Sequence, residues 1–143
     1  MFIGEYKHSI DDKGRVAIPA KFRAKLGEVA IVTRGLDRCL FVFAKPEWDK
    51  LAEKIIALPL AKADSRAFAR LMLSGAVDVT PDSQGRVVIP ENLKRYGCLG
   101  KTAVVAGVYN RIEIWDEATW QQYKEKTEAA SDEIAEKLGE LGI

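Results

Sequence analysis

Apolar and polar positions alternate with two different periods along this chain. Residues 2–8 mix apolar and polar side chains without a breaker and run into Asp11-Asp12-Lys13-Gly14, which predicts a strand entering a hairpin turn, with residues 15–18 as the return strand. Pro19 stands where a proline suits the first helical position, Phe22 and Leu26 follow four apart, and Gly27 ends a short helix. Residues 29–33 and 39–43 are β-rich runs around a loop at 34–38, a second strand pair. From Pro46 the period changes, and Trp48, Leu51, Ile55 and Leu58 recur every three or four residues as the stripe of a helix facing a core. Leu58-Pro59-Leu60 breaks that stripe, and a further helix over residues 64–73 carries Phe68, Leu71 and Met72 before Ser74-Gly75. The same order then starts again. Strand 76–80, a turn, strand 86–89, Pro90 with a short helix, and strands 102–106 and 111–115 lead to a last helix with Asp116 as its N-cap.

This second pass is an internal duplication. Between Asp11–Phe22 and Asp82–Leu93, 6 of 12 aligned positions are identical, and what repeats is Asp-x-x-Gly-Arg-hydrophobic-x-Ile-Pro. Gly27 to Val32 answers Gly100 to Val105, and Phe43-Ala44-Lys45-Pro46-Glu47-Trp48 answers Trp115-Asp116-Glu117-Ala118-Thr119-Trp120, at offsets of 73 and 72 against 71 for the turn. Drift by single residues belongs in loops, because a slip inside a strand turns its core side chains outward. Two repeats, about residues 5–58 and 76–125, are therefore expected to form one globular unit over residues 1–143, joined by a helical connector and ending in an acidic helix.

Length supports a shared core, since 143 residues are short for two independent ones. The apolar runs are only a few residues long, far below the ~18 that cross a bilayer, which points to a cytosolic chain with no membrane partner. Cys39 and Cys98 are isolated beside strand-like residues, and the expectation is two buried thiols and no disulfide or metal site. Net charge is only +1, yet it is unevenly spread. Residues 1–112 carry 19 Lys or Arg against 12 Asp or Glu, whereas residues 113–143 carry 3 against 9. A body that faces a polyanion and an acidic helix held elsewhere would have this distribution.

The repeated turn has a chemical logic at each position. Asp11 and Asp82 can accept hydrogen bonds from turn N–H groups, and Gly14 and Gly85 supply a positive φ, so these four shape the loop. Arg15 and Arg86 then project at its edge, where a guanidinium can grip phosphate or the major-groove edge of guanine; Lys13 adds charge in the first copy and Gln84 replaces it in the second. A plainer reading makes each Asp–Arg pair, four residues apart, a local ion pair that pins the turn.

With these motifs, the opening Met1-Phe2-Ile3-Gly4-Glu5-Tyr6, Leu71-Met72-Leu73-Ser74-Gly75-Ala76 and Ile112-Glu113-Ile114-Trp115, the chain resembles the MraZ family of bacterial transcriptional regulators, related to the SpoVT and AbrB swapped-hairpin DNA-binding proteins. The resemblance spans nearly the whole chain. It implies an α+β fold in which two AbrB-like β-rich repeats pack about a pseudo-twofold into one barrel-like core, with bridging and C-terminal helices. It further implies a cytoplasmic, nucleoid-associated repressor of double-stranded DNA, acting as a homo-oligomeric ring on repeated boxes upstream of the division and cell-wall gene cluster. Lys13, Gly14, Arg15, Gln84, Gly85 and Arg86 are the DNA-binding positions that it implies.

An enzyme is a poor fit to the inventory. His8 is the one histidine and has no nucleophile or carboxylate at a useful spacing, no phosphate loop or dinucleotide fingerprint occurs, and Asp11-Asp12 gather no further metal ligands. No catalytic residue, cofactor or small-molecule substrate is implied. Phe41, Phe43, Trp48, Trp115 and Trp120 sit at core spacing and are not read as a base-stacking platform. The competing reading is a non-enzymatic scaffold whose paired hairpins bind an acidic protein.

Overall fold

In the computed structural model, which describes residues 1–142, eight strands and six helices form an α+β fold in three layers. The strands are β1 (Phe2–Ser9), β2 (Arg15–Ala17), β3 (Ala30–Arg34), β4 (Leu40–Ala44), β5 (Val77–Val79), β6 (Arg86–Val88), β7 (Thr102–Tyr109) and β8 (Ile112–Asp116). The helices are α1 (Ala20–Leu26), α2 (Lys45–Ile56), α3 (Ala63–Ala69), α4 (Glu91–Tyr96), α5 (Glu117–Ala129) and α6 (Ser131–Lys137). A π-helical turn, Arg70–Ser74, continues α3.

Six strands make one antiparallel sheet in the order β1-β7-β8-β4-β3-β5, and β2 pairs with β6 in a separate ribbon. Exchanging β1 with β5, β2 with β6, β3 with β7 and β4 with β8 leaves this arrangement unchanged. The pseudo-twofold runs between Phe41 and Glu113, which face each other across β4 and β8, and between Val16 and Val87 in the ribbon. The sheet ends at β1 and β5 and does not close into a barrel, while its core is compact.

The hairpins of the duplicated motif are exchanged between halves, which corrects the expectation that residues 15–18 return against residues 2–8. β1 runs along β7 of the second half over eight residue pairs, β5 runs along β3 of the first, and the two return strands pair with each other. The arms of the first hairpin meet beside the turn, at the Ile10–Val16 bridge and where the Asp11 N–H donates to the Arg15 carbonyl at 3.2 Å. Each half therefore completes the sheet of the other.

Alternation along the strands sorts two apolar clusters. Leu40 and Val42 of β4 point inward with Val32, Val105, Ile112 and Ile114 to meet the ribbon and Phe22, Leu26 and Leu93 of α1 and α4. Phe41 and Phe43 point to the other face with Val104 and Trp115, where Trp48, Leu51 and Ile55 of α2, Phe68 of α3 and Trp120 of α5 cover them. The aromatic set is thus core, as its spacing predicts. Strands buried on both faces read as continuous apolar runs, and each large side chain buried in this way is worth about 1.5–3 kcal/mol. Thr33, buried in β3, donates its hydroxyl to the Met72 carbonyl at 2.6 Å, so the connector is anchored without an orphaned polar group.

Local boundaries hold three further differences. Pro19 and Pro90 cap α1 and α4 one position before the first helical residue, with φ of −50° and −59°. Cys39 is buried as expected, but Cys98 is exposed: it follows α4 with a φ of 51°, where the chain reverses toward β7. Asp116 does cap α5, accepting from the Ala118 N–H at 3.2 Å, but the acidic segment breaks at Ala130 into α5 and α6.

Candidate nucleic-acid interface

Each duplicated turn is built by one carboxylate. Asp11 Oδ1 accepts from the Lys13 N–H at 3.0 Å and the Arg15 N–H at 2.9 Å, and Oδ2 accepts from Arg15 Nε at 2.5 Å. Asp82 repeats the pattern bond for bond, with Gln84 N–H, Arg86 N–H and Arg86 Nε all at 2.9 Å. The Arg15 N–H and then its guanidinium hold the Asp11 pKa below the ordinary aspartate value, and Arg86 acts on Asp82 in the same way. Both turns close on themselves, since the Gly14 and Gly85 N–H groups donate to the carbonyls of Asp11 and Asp82.

The glycines are needed for two reasons. Their φ angles, 77° at Gly14 and 76° at Gly85, strain any side-chain-bearing residue. Space is also taken: a Cβ at Gly14 would stand 2.9 Å from the Ile89 carbonyl oxygen, and one at Gly85 would stand 2.0 Å from Arg23 Nε. The glycine carbonyls then accept from Ile89 N–H at 2.8 Å and Ile18 N–H at 2.9 Å, which welds both turns to the ends of the ribbon.

The ribbon has two unlike faces. Val16 and Val87 are fully buried against the core, so the alternating positions Arg15, Ala17, Arg86 and Val88 form the outward face. Arg15 stands opposite Val88 and Arg86 opposite Ala17, a diagonal arrangement that separates the two arginines by roughly 7–8 Å at their roots. They are strand residues with side chains 30% and 28% exposed, and the exposed tips of the loops belong to Lys13 and Gln84. The repeated motif alone predicts arginines at the loop edge and leaves the ion pair as an alternative to a binding role. The geometry accommodates both, because each carboxylate takes only Nε and neither Nη of Arg15 or Arg86 has a partner among the described residues. A braced guanidinium with both Nη groups free is organised for a bidentate acceptor.

Two cations missing from the predicted set complete the surface. Arg23 of α1 donates through Nε to the Ile18 carbonyl at 2.9 Å and lies across Gly85 of the other half. Its counterpart Lys94 of α4 lays its aliphatic stem 3.4 Å from where a Gly14 Cβ would stand. Both follow the duplicated proline by four residues, so the repeat itself held the signal. The acidic end of the chain packs elsewhere: α5 lies on the outer face of the sheet through Trp120, whose Nε1 donates to Glu5, and Lys124 pairs with Glu5 at 2.7 Å. That ion pair lowers the Glu5 pKa and raises that of Lys124.

Among the described residues, no group of three or more His, Cys, Asp or Glu side chains is placed to hold a metal ion, and no helix is long and apolar enough to cross a membrane. A family model described as "MraZ protein, putative antitoxin-like" matches twice, over residues 1–71 and 72–140, and so divides the chain between the two repeats. Proteins called transcriptional regulator MraZ are similar over the full length: that of Alkaliphilus oremlandii is 50% identical over 143 residues, all of both chains, and that of Natranaerobius thermophilus 49% over the same span. The protein of that name from Carboxydothermus hydrogenoformans is 52% identical over 138 residues, 96% of each chain.

Proposed function

The chain belongs to the MraZ family, and on that premise we propose that it is a transcriptional regulator that binds double-stranded DNA sequence-specifically through the β2–β6 ribbon and its two turns. The observation that carries this reading is the bond-for-bond duplication of the Asp–Gly–Arg turn on one exposed ribbon. A two-stranded antiparallel ribbon fits the ~12 Å major groove, and arginine is the side chain that most often reads guanine there. Lys13, Arg15, Gln84 and Arg86 make the contacts, while Gly14 and Gly85 let the backbone turn beside the DNA. Asp11 and Asp82 hold the arginines in their binding conformation beforehand, which lowers the ordering cost of association.

The rest of the reading follows from scale and from the family. Two arginines and two loop tips per chain give weak, salt-sensitive binding, so specificity is obtained by several chains on one duplex, most simply as a ring facing repeated boxes. The protein acts in the cytoplasm on the nucleoid as a repressor of the division and cell-wall gene cluster, and the reading assigns it no catalysis. Competition tests it. Duplex from the region upstream of the chain's own gene should outcompete random duplex by ~10³-fold or more, whereas a scaffold for an acidic protein shows no duplex preference.

A further inference from the structure

The pseudo-twofold makes the two turns superposable, so any difference in what they read must come from the positions where their residues differ. Asp, Gly and Arg coincide at 11 and 82, 14 and 85, and 15 and 86. Three outward pairs do not: Asp12 and Ser83, Lys13 and Gln84, Ala17 and Val88. Lys13 and Gln84 are the telling pair. Both are exposed, both sit one residue before the glycine in a turn of the same geometry, and neither side chain has a partner among the described residues. Their side chains start from equivalent points beside equivalent arginines, yet their chemistry differs. An ammonium only donates, and so matches the N7 and O6 acceptors of guanine; a carboxamide donates and accepts, and so matches the N6 and N7 of adenine.

Strand pairing sharpens the difference. Antiparallel register sets Val88, which is 54% exposed, opposite Arg15, and the smaller Ala17 opposite Arg86. One end of the ribbon thus offers Lys13, Arg15 and an apolar side chain fit for a thymine methyl, and the other offers Gln84, Arg86 and a methyl group. The backbone is nearly symmetric and the reading surface is not.

Resting on the DNA-binding function proposed above, we infer that Lys13 and Gln84 are specificity-determining residues that select guanine and adenine respectively, so that the box of one chain has two unlike halves and a direction.

The test starts from the duplex that the wild-type protein prefers in a randomised library. Wild type, Lys13→Gln and Gln84→Lys are then measured against that box, against the two palindromes made from its halves, and against random duplex, with the number and spacing of boxes held constant. Wild type should favour the unlike-halved box over either palindrome by at least about fivefold. Lys13→Gln, whose two turns both carry glutamine, should switch to the palindrome built from the adenine half, and Gln84→Lys should switch to the other. Melting should be unchanged for both variants, because the turns use the backbone N–H of these residues and not their side chains. A wild-type preference for a palindrome overturns the inference, as does a uniform loss on every duplex, which would mark Lys13 as a phosphate contact. Absence of any wild-type preference over random duplex would instead refute the DNA-reading function from which the inference starts.

Discussion

Replacing Arg15 by lysine separates the two tasks that the structure gives to this side chain. In the wild type, Nε is committed to Asp11 Oδ2 at 2.5 Å while both Nη groups remain without partners among the described residues, so one guanidinium braces the turn and offers a two-pronged donor at once. An ammonium is a single point of charge: it can stay with Asp11 or reach the DNA. The turn itself should survive in either Arg15→Lys or Arg15→Ala, because Asp11 keeps the backbone N–H bonds of Lys13 and Arg15, and Arg15 is not part of the buried core. A bidentate contact to a base edge is worth about 1–3 kcal/mol, so Arg15→Lys should bind the preferred box roughly 5- to 150-fold more weakly per contact while random duplex is hardly affected. Arg15→Ala should lose at least as much and should also flatten the dependence of log affinity on log salt by about one unit per contact removed. Fluorescence anisotropy with box and random duplexes at several salt concentrations reads both quantities. Box binding by Arg15→Lys at the wild-type level, or an equal loss on box and random duplex, would refute the assignment of Arg15 to base reading.

Gly85→Ala should destabilise the fold by about 2–3 kcal/mol, combining ~1–2 for positive φ with the displacement of Arg23 from its bond to Ile18. An Arg23→Ala background provides the control, since it removes the side chain that the Gly85 Cβ would meet and leaves the backbone strain in place; thermal melts showing the same Gly85→Ala loss with and without Arg23 would deny the Arg23 clash. Acid should loosen both turns late: a carboxyl whose pKa is lower in the folded than in the unfolded chain contributes stability above its unfolded pKa and loses it as pH falls through the folded one. Asp11 and Asp82 should therefore titrate below the ordinary aspartate value of about 3.9, and carboxyl NMR shifts placing either at or above that value would contradict the bracing role. Operators with one, two, three or four boxes, compared at constant length and salt, should bind with steeply rising affinity, by up to roughly 10²–10⁴ overall, and a single box that binds as tightly as four would remove the need for assembly.

The turn was legible in the sequence because its chemistry is local. Asp11 finds all its partners within four residues, and Gly14 and Gly85 announce the φ that the turn needs. The outer aromatic cluster was legible too, since Trp48 and Trp120 fall at helical spacing behind strand ends that carry Phe43 and Trp115. Pairing was not. A period of two tells which side of a strand is apolar but not which strand lies beside it, and the partners of Lys7 and Val16 are Val104 and Val87, 97 and 71 residues along the chain. The repeat marks Arg23 and Lys94 as a matched basic pair, but not their place, as each serves the turn of the other half and only the exchange of strands brings it there. The π-helical turn and the break at Ala130 carry no proline or glycine within them to mark them.

Guanine-N7 methylation interference on the preferred duplex tests the central claim most directly, because N7 lies in the major groove and a methyl group there obstructs a ribbon carrying Arg15 and Arg86. Binding by the wild-type protein should be blocked by methylation at discrete guanines in every box, and the Arg15→Ala and Arg86→Ala variants should each lose sensitivity at a different subset of them. A duplex bound as well when its box guanines are methylated would contradict major-groove reading by the β2–β6 ribbon.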